Sequence, residues 1–279
     1  MGLRKDILQK WKQLSGNAST QYNTYYDFNS ESYAKKECDS FNAASLPPNK
    51  DGFFCEKCKN KGVIGIVDYQ NGIWYQSTIL CECRQRLRNK ATLASSGLTN
   101  IKKLDTFTTQ EDWQKNLKQK AMDFLSQSEI RCFYIGGQTG AGKTHLCSGM
   151  AWELSQRGKS LKYFCWADEA KMLTDFDNPH RFERIEELQN TDVLYIDDMM
   201  KPCGKGYTKS DIYLAFEIID SRYRDHSKIT IISSELLMSK YIYIDQATAG
   251  RIAEMAGKFC IAINHDVKKN QRIKNMEII

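Results

Sequence analysis

Residues 131–144 read Arg-Cys-Phe-Tyr-Ile-Gly-Gly-Gln-Thr-Gly-Ala-Gly-Lys-Thr, a short apolar run that passes directly into a glycine-rich turn. From Gly137 to Thr144 the stretch fits the P-loop pattern of Gly, any four residues, Gly, Lys and Ser or Thr. The apolar run before it predicts a strand, and Leu146 and Met150 continue a helical pattern after it. Strand, turn and helix in this order favour a phosphate-binding loop over a glycine-rich turn that binds nothing.

The positions of this loop have distinct tasks in a nucleotide site. Backbone N–H groups of the turn and of the helix N-terminus bind phosphate oxygens, the Lys143 ammonium reaches the β and γ phosphates, and the Thr144 hydroxyl ligates Mg²⁺. We therefore predict a site for ATP and Mg²⁺ whose nucleotide-binding residues are Gly137, Gln138, Thr139, Gly140, Ala141, Gly142, Lys143, Thr144 and His145.

Two adjacent acids follow a second apolar run. Residues 193–196, Val-Leu-Tyr-Ile, predict a buried strand that ends at Asp197 and Asp198. Acids at the carboxyl end of such a strand suit a Mg-nucleotide site, where Asp197 would hold the metal and Asp198 would orient or deprotonate the attacking water. Two acids in a solvated turn are the alternative, and the P-loop makes that alternative weaker.

A serine pair follows a third apolar run. Ser233 and Ser234 come directly after residues 229–232, Ile-Thr-Ile-Ile, where short polar groups could touch the γ-phosphate or the attacking water. We choose Ser234 as a candidate catalytic residue. A turn or a helix cap explains a serine pair at a strand end equally well.

Short apolar runs alternate with helix-length polar patterns from residue 105 onward. The alternation predicts an α/β fold with a parallel five-stranded sheet covered by helices. At 279 residues and 41% hydrophobic composition, the chain can hold one such domain and a smaller unit. The five strand candidates are residues 131–135, 161–165, 193–196, 229–233 and 260–263.

Four of the ten cysteines have the spacing of a metal site. Between the two pairs lies a hairpin-like stretch with a turn at residues 70–72, too small to fold on apolar burial alone. Four thiolates bind one tetrahedral Zn²⁺ and leave no open position, so we predict a structural zinc site, with chance clustering or a redox pair as alternatives. The predicted zinc ligands are Cys55, Cys58, Cys81 and Cys83.

The composition indicates the compartment and permits nucleic acid as a partner. The other cysteines are scattered, which is typical of a reducing cytosol, and no apolar run is long enough to cross a membrane. We expect a cytoplasmic protein with no membrane partner. The formal charge of +6 permits contact with nucleic acid without requiring it.

Two further segments could contact partners. The basic run Arg84–Lys90, together with Lys102 and Lys103, could lie along a nucleic-acid backbone, with Trp74 and Tyr75 close by for base stacking. A solvated helix face explains these charges equally well. Near the N-terminus, Leu3, Ile7, Trp11 and Leu14 have helical spacing and could dock on a partner or pack on the chain itself.

The order of these features resembles the DnaC/DnaI-type loaders of replicative helicases, which are AAA+ proteins, and especially their phage-encoded relatives. The resemblance covers most of the chain. It rests on the cysteine unit leading into a basic helix, then on the P-loop ending in Lys-Thr-His-Leu, then on the two acids followed closely by Lys201. It continues through residues 233–236, Ser-Ser-Glu-Leu, and residues 250–255, Gly-Arg-Ile-Ala-Glu-Met.

This resemblance implies an ATP-controlled loader that binds a hexameric DnaB-like helicase and helps to place it on single-stranded DNA, with ATP acting as a switch. It implies self-association through the ATPase domain, in which Arg251 of a neighbouring subunit completes the pocket, although some relatives have this arginine one turn later, at the position of Met255. Arg272 resembles the later sensor arginine. Asp198 stands where many relatives have Glu, so we expect slow hydrolysis.

The resemblance also implies a domain plan. Few residues remain after the strand at 260–263, so we expect a reduced or absent lid. The expected domains are an arm over residues 1–50, a zinc unit with the basic helix over 51–104, and the AAA+ domain over 105–279. Three alternatives remain: an IstB-type transposition helper ATPase, an adaptor that binds nucleotide without hydrolysing it, and, least favoured, a small-molecule kinase.

Overall fold

The fold is described in a computed structural model, which describes residues 29–48, 54–127, 129, 131–202 and 206–273. The amphipathic stretch from Leu3 to Leu14 lies outside the described residues. The chain divides into two compact units, Met1–Glu82 and Cys83–Ile279. The division after Glu82 lies between the two domain boundaries expected from the sequence, after residues 50 and 104. Those two boundaries stay predictions.

The first unit contains a β-hairpin. Its strands are β1 (Val63–Gln70) and β2 (Ile73–Leu80), paired antiparallel from Val63 opposite Leu80 to Gln70 opposite Ile73. The two turn residues, Asn71 and Gly72, have φ values of 54° and 80°. A two-residue Asn-Gly turn with both φ angles positive matches the right-handed twist of the strands. The predicted hairpin and its turn are confirmed.

A helix that the sequence did not indicate packs on this hairpin. It is α1 (Glu31–Ala43), capped by the Ser30 hydroxyl, which accepts a hydrogen bond from the Tyr33 N–H at 3.2 Å. The Asn42 amide bonds the Gly65 backbone twice, accepting from its N–H at 2.8 Å and donating to its carbonyl at 2.9 Å. Residues 31–43 are therefore part of a folded unit.

The second unit is an α/β domain. Its helices are α2 (Glu82–Ala94), α3 (Asp112–Ser126), α4 (Lys143–Gln156), α5 (Trp166–Thr174), α6 (Arg181–Asn190), α7 (Lys209–Arg224), α8 (Met238–Ile244) and α9 (Gln246–Ala256). Its strands are β3 (Cys132–Gly137), β4 (Leu161–Cys165), β5 (Val193–Asp197), β6 (Ile229–Ser234) and β7 (Cys260–Ile263).

The five strands form one parallel sheet in the order β4-β5-β6-β3-β7. Helices α3 and α4 cover one face, where Val193 and Tyr195 point, and helices α5 to α9 cover the other, where Leu194 and Ile196 point. Because both faces are buried, the strands are nearly continuous apolar runs. The predicted fold class and all five strand positions are confirmed.

The sheet brings the chemical groups to one edge. Carboxyl ends of parallel strands lie together, so the ends of β3, β5 and β6 place Gly137, Asp197 and Ser234 side by side. After β7, the described residues to position 273 contain a 3-10 turn, Val267–Lys269, and the reduced or absent lid stays a prediction. None of the helices in the described residues is both long and apolar enough to span a membrane.

Candidate nucleotide site and cysteine cluster

The P-loop forms a tight turn between β3 and α4. Other parts of the chain approach its backbone so closely that two of its positions must be glycine. A Cβ on Gly137 would lie 2.1 Å from the Ile263 carbonyl oxygen, and one on Gly140 would lie 1.9 Å from the Asn270 amide oxygen. Both residues also have positive φ angles, 113° and 74°, which side chains other than glycine rarely adopt. The loop backbone therefore keeps its N–H groups in a narrow turn at the start of α4.

The Lys143 side chain lies inside this turn. Its ammonium donates to the carbonyls of Gly137 at 2.9 Å and Gln138 at 2.8 Å, and the residue is only 6% exposed. Burial lowers the pKa of Lys143, while the nearby charges of Asp198 and Glu235 oppose that shift. A buried ammonium that has only carbonyl partners gains much from an anion, so this position suits a phosphate.

The Asp197 carboxylate is held by four hydroxyl groups. Its Oδ1 accepts from Tyr195 at 2.7 Å, from Thr144 at 3.1 Å and from Ser233, and its Oδ2 accepts from Tyr163 at 3.2 Å. Burial raises the pKa of both tyrosines, and the Asp197 charge adds to that rise. The tyrosines thus stay protonated donors. The Thr144 hydroxyl and the Asp197 carboxylate lie together, as a Mg²⁺ site needs.

The turn after Asp197 has an uncommon backbone. Asp198 and Met200 both lie in the left-handed region, with φ of 52° and 58°. The Lys201 ammonium donates to the Asp198 carboxylate at 2.8 Å and lies 3.3 Å from a Glu235 carboxylate oxygen. The hydrogen bond to Asp198 raises the pKa of Lys201. Strain of this kind persists only where neighbouring contacts fix it, and it gathers at functional sites.

These groups surround one pocket of about 260 Å³. Of the predicted site residues, the loop from Thr139 to His145, Asp198 and Arg272 line it. Gln138 lies just behind it, and its side-chain oxygen accepts from the Asp266 N–H at 3.0 Å. Sequence reasoning missed several lining residues that are far apart in the chain: Lys102, Phe107, Thr108, Gln114, Lys201, Glu235 and Gln271.

Most of the residues that line the pocket lie in a region that matches a known protein family. The sequence model of the family described as IstB-like ATP binding protein matches residues 81–251, more than half of the chain. The chain belongs to this family. It is an AAA+ ATPase, and the family implies ATP and Mg²⁺ as its nucleotide and metal.

Individual relatives cover different parts of the chain. The phage-like element PBSX protein XkdC of Bacillus subtilis strain 168 is 27% identical over 238 residues, which are 79% of this chain and 86% of that protein. The solved structure of AMPPCP-bound DnaA from Aquifex aeolicus has a TM-score of 0.49 and 21% identity over 64% of this chain. This chain spans about half of that DnaA chain, 54%.

A crystal structure of the DnaC helicase loader is also similar. Its TM-score is 0.45 and its identity 20%, over 59% of this chain and 96% of that chain. The matched family is described by IstB, the protein type that the sequence analysis gave as an alternative to a helicase loader. The matched residues, 81–251, contain the ATPase core. Membership therefore implies ATP and Mg²⁺ for this chain and leaves the partner open.

Two segments of this IstB-like chain hold the P-loop from outside. His145 Nε2 lies 2.9 Å from the Lys103 carbonyl and 3.2 Å from the Thr106 hydroxyl, and its ring meets Phe107 edge-on at 5.3 Å. From the C-terminal part of the chain, the Gln271 N–H donates to the Gly140 carbonyl at 3.0 Å. His145 therefore fixes the segment before α3, which forms one wall of the ATP pocket.

Three predicted catalytic residues lie outside the pocket lining: Asp197, which contacts Thr144 of that lining, Ser234 and Arg251. The Ser234 hydroxyl donates to the Met199 carbonyl at 2.7 Å and so holds the turn after β5. Arg251 donates to Asp220 at 2.9 Å, and its guanidinium lies 5.0 Å from the Phe216 ring centre. The catalytic role of Ser234 and the action of Arg251 in a neighbouring subunit stay predictions.

The four predicted zinc ligands lie together. The Sγ atoms of Cys55, Cys58, Cys81 and Cys83 are all within 4.8 Å of one another, and those of Cys55 and Cys81 are 3.8 Å apart. A tetrahedral ion with Zn–S bonds of about 2.3 Å has sulfurs about 3.8 Å apart, so the cluster fits one such ion. The Gly62 N–H donates to Cys58 Sγ at 3.3 Å, which helps to fix that ligand.

The basic run forms an exposed helix. In α2, Arg84, Arg86, Arg88 and Lys90 are all exposed, while Asn89 is 4% exposed and donates to the Gln156 carbonyl at 2.6 Å. The helix is thus attached by one side and presents its cations to solvent. In the first unit the Trp74 ring lies 4.6 Å from that of Tyr69, and the Tyr75 hydroxyl donates to Asp68 at 3.1 Å.

Proposed function

We propose that this chain is an ATP-dependent loader of a hexameric DnaB-like replicative helicase onto single-stranded DNA. ATP and Mg²⁺ in the P-loop favour a state that holds helicase and DNA, and hydrolysis releases the loader. The protein would act in the cytoplasm of a bacterium or of a phage-infected bacterium, with Zn²⁺ as a structural metal in the four-cysteine cluster.

The observation that carries this proposal is the module joined to the front of the ATPase. The IstB-like match begins at Cys81, so the hairpin with Cys55 and Cys58 lies outside it. Four thiolates close enough for one tetrahedral ion are followed along the chain by an exposed basic helix at residues 82–94. A P-loop ATPase preceded by such a unit is the arrangement of the loaders that the sequence resembles.

The site chemistry suits a switch with slow turnover. Lys143 would bind the β and γ phosphates, and Thr144 with Asp197 would hold the Mg²⁺. Asp198 would position the attacking water, and its side chain is one methylene shorter than that of Glu. It is also already paired with Lys201. Both features support slow hydrolysis that a partner or DNA accelerates.

Two arginines would complete the site in an assembly. Arg272 lines the pocket of its own chain and could contact phosphate directly. Arg251 lies on α9 against α7, with its side chain 29% exposed, and in our proposal it serves the pocket of a neighbouring subunit. Self-association through the ATPase domain would then add a positive charge from a neighbouring subunit to those of Lys143, Lys201 and Arg272.

The first experiment is size-exclusion chromatography with light scattering. The protein is mixed with the replicative helicase of its host, with ATP and without it, beside a Lys143→Ala variant. A stable complex that releases helicase onto single-stranded DNA only with ATP, and not with the variant, supports the loader. No complex in any nucleotide state would contradict it.

The family description favours a second candidate, a helper ATPase for DNA transposition. Such a protein would bind duplex DNA in an ATP-dependent way and recruit a transposase, and it would need no replicative helicase. The same purified protein, tested by a filter-binding assay on duplex and single-stranded DNA, separates the two. ATP-dependent binding to duplex DNA without any helicase complex would favour the transposition helper.

A further inference from the structure

Lys201 is a cation of the pocket that the P-loop pattern does not explain. It lines the same pocket as Lys143 and Thr144, on the side of Asp198 and Glu235. Its ammonium lies 2.8 Å from an Asp198 oxygen and 3.3 Å from a Glu235 oxygen. With its side chain 38% exposed, Lys201 is open to the pocket, and these contacts join it to the acid expected to act on water.

Backbone contacts fix the position of this lysine. The Lys201 N–H donates to the Asp198 carbonyl at 3.0 Å, which closes the turn. The Met199 N–H donates to the Ser233 carbonyl at 2.8 Å, and the Ser234 hydroxyl donates to the Met199 carbonyl at 2.7 Å. The end of β6 thus holds the turn after β5 from both sides, despite two residues in the left-handed region.

The charges around Lys201 leave it able to bind a further anion. An ammonium has three N–H donors, and the two carboxylates engage two of them. The third can bond a phosphate oxygen. Lysine binds phosphate as a compact charge that needs no fixed fork, so the ammonium can approach a phosphate group from one side of the pocket.

We propose that Lys201 contacts the terminal phosphate of ATP and thereby makes the site prefer ATP to ADP. The added bond draws the ammonium toward the phosphate and weakens its pair with Asp198, which frees that carboxylate for the attacking water. The inference rests on the nucleotide site of the proposed function, but it does not depend on the helicase or on DNA.

The test is isothermal titration calorimetry of the purified chain with Mg²⁺, using ADP and a non-hydrolysable ATP analogue. In Lys201→Gln the affinity for the analogue should fall about tenfold, because a charged hydrogen bond is lost, while ADP affinity changes by less than about twofold. Lys201→Arg keeps the charge and should recover part of the loss.

The chain offers a matched control. Lys115 pairs with Asp112 at 2.9 Å, three residues apart like Lys201 and Asp198, on the solvent side of α3. Lys115→Gln should leave both affinities unchanged. Asp198→Asn removes the acid partner but keeps the lysine, so its preference for the ATP analogue should persist.

Three results would overturn the inference. Equal losses of ATP-analogue and ADP affinity in Lys201→Gln would make the lysine a general pocket residue. An Asp198→Asn variant that loses the preference would show that the ion pair, and not a phosphate contact, is what matters. Absence of any nucleotide binding by the unaltered chain would remove the site itself, whereas a missing helicase complex would leave this inference standing.

Discussion

At the scale of single residues, two tyrosines orient Asp197, the acid predicted to hold Mg²⁺. Tyr195 and Asp197 stand two apart on one strand, so their side chains share a face of the sheet. Tyr163 reaches the other carboxylate oxygen from the neighbouring strand, where residues 163 and 195 are paired. Each hydroxyl fixes one oxygen, which leaves the carboxylate a single orientation for a metal.

Tyr195→Phe should weaken Mg²⁺ binding more than it weakens ATP binding. Removal of one outer hydrogen bond to a metal ligand costs about tenfold in metal affinity, so the Mg²⁺ concentration for half-maximal ATP hydrolysis should rise by about that factor. The measurement is a Mg²⁺ titration of ATPase activity at saturating ATP.

Tyr134→Phe is the matched control for this prediction. Tyr134 is also buried, and its hydroxyl donates to the Leu236 carbonyl at 2.8 Å, away from Asp197. The variant loses a buried hydrogen bond of similar kind and should be less stable, but its Mg²⁺ requirement should not move. If both variants shift the Mg²⁺ midpoint equally, the tyrosine acts only through stability.

Glycines of the loop and of a helix should respond in opposite ways to the same substitution. Gly140→Ala forces a Cβ against Asn270 at a φ of 74°, and it should abolish nucleotide binding. Gly250 lies exposed inside α9 with open space around it, so Gly250→Ala should stabilise the fold by about 1 kcal/mol. Calorimetry and urea unfolding measure the two effects, and loss of stability in Gly250→Ala would contradict the assignment of this helix.

These residues mark how far sequence reasoning extends. The positions of the P-loop and of Asp197 at strand ends were predictable because each is local, a strand followed directly by the candidate residues. The tyrosine contacts and the approach of Asn270 to Gly140 join positions far apart in the chain, and no local pattern encodes them. The place of Tyr195 two residues before Asp197 is the one signal that could have pointed to its contact.

At the scale of elements, one buried arginine joins α6, α7 and β6. Arg222 is fully buried, and its guanidinium donates to the carbonyls of Leu188, Gln189 and Thr191 at the end of α6, each at about 3 Å. It also donates to Ile229 at 2.7 Å. The last carbonyls of a helix have no hydrogen-bond donor inside the helix. The Arg222 guanidinium supplies donors to these carbonyls at the end of α6.

Arg222→Met should therefore destabilise the second unit strongly. Several buried carbonyls would lose their donor at once, and the expected loss in the free energy of unfolding is about 3 kcal/mol or more. Arg224→Met is the control, because Arg224 is 73% exposed and its pair with Asp220 should contribute little. Urea unfolding of both variants measures the difference, and equal losses would mean that the carbonyl contacts are not what Arg222 contributes.

The sequence did not indicate this role of Arg222. In the run Ser-Arg-Tyr-Arg-Asp, residues 221–225, both arginines read as basic residues of a last helical turn. Arg222 is buried, and Arg224 is not, because α7 packs with the Arg222 side of its last turn against the end of α6. Helix α1 was missed for a related reason, since its buried residues are the small Ala34 and Cys38 and give little apolar periodicity.

At the scale of the whole molecule, the chain combines an ATPase that has a large core with a unit whose described residues, 29–48 and 54–82, bury few apolar side chains. The second unit has two apolar clusters, one on each face of the sheet. In the first unit the hairpin leaves Tyr69, Ile73 and Ile79 about half exposed, at 53%, 45% and 49%. A unit with so little buried apolar surface needs another source of stability, and the cysteine cluster is the one that the described residues offer.

We therefore predict one Zn²⁺ per chain, bound by the four clustered thiolates and required for the hairpin. Cys58→Ser should lose the metal and make residues 54–80 sensitive to protease, because metal binding and folding of such a unit are coupled. Cys165→Ser is the control, since Cys165 lies at the end of β4 outside the cluster, and it should keep the metal. Zinc released per chain is measured with a metal-sensitive dye after thiol modification, and the protease pattern by mass spectrometry.

Acid should release the same metal, because protons compete for the thiolates that bind it. As the pH falls below neutrality the fraction of bound zinc should drop, and the hairpin should become protease-sensitive over the same pH range. A chain purified without zinc whose hairpin resists protease as well as the zinc-bound form would contradict a stabilising metal. A Cys58→Ser variant that keeps one zinc per chain would contradict the four-cysteine assignment itself.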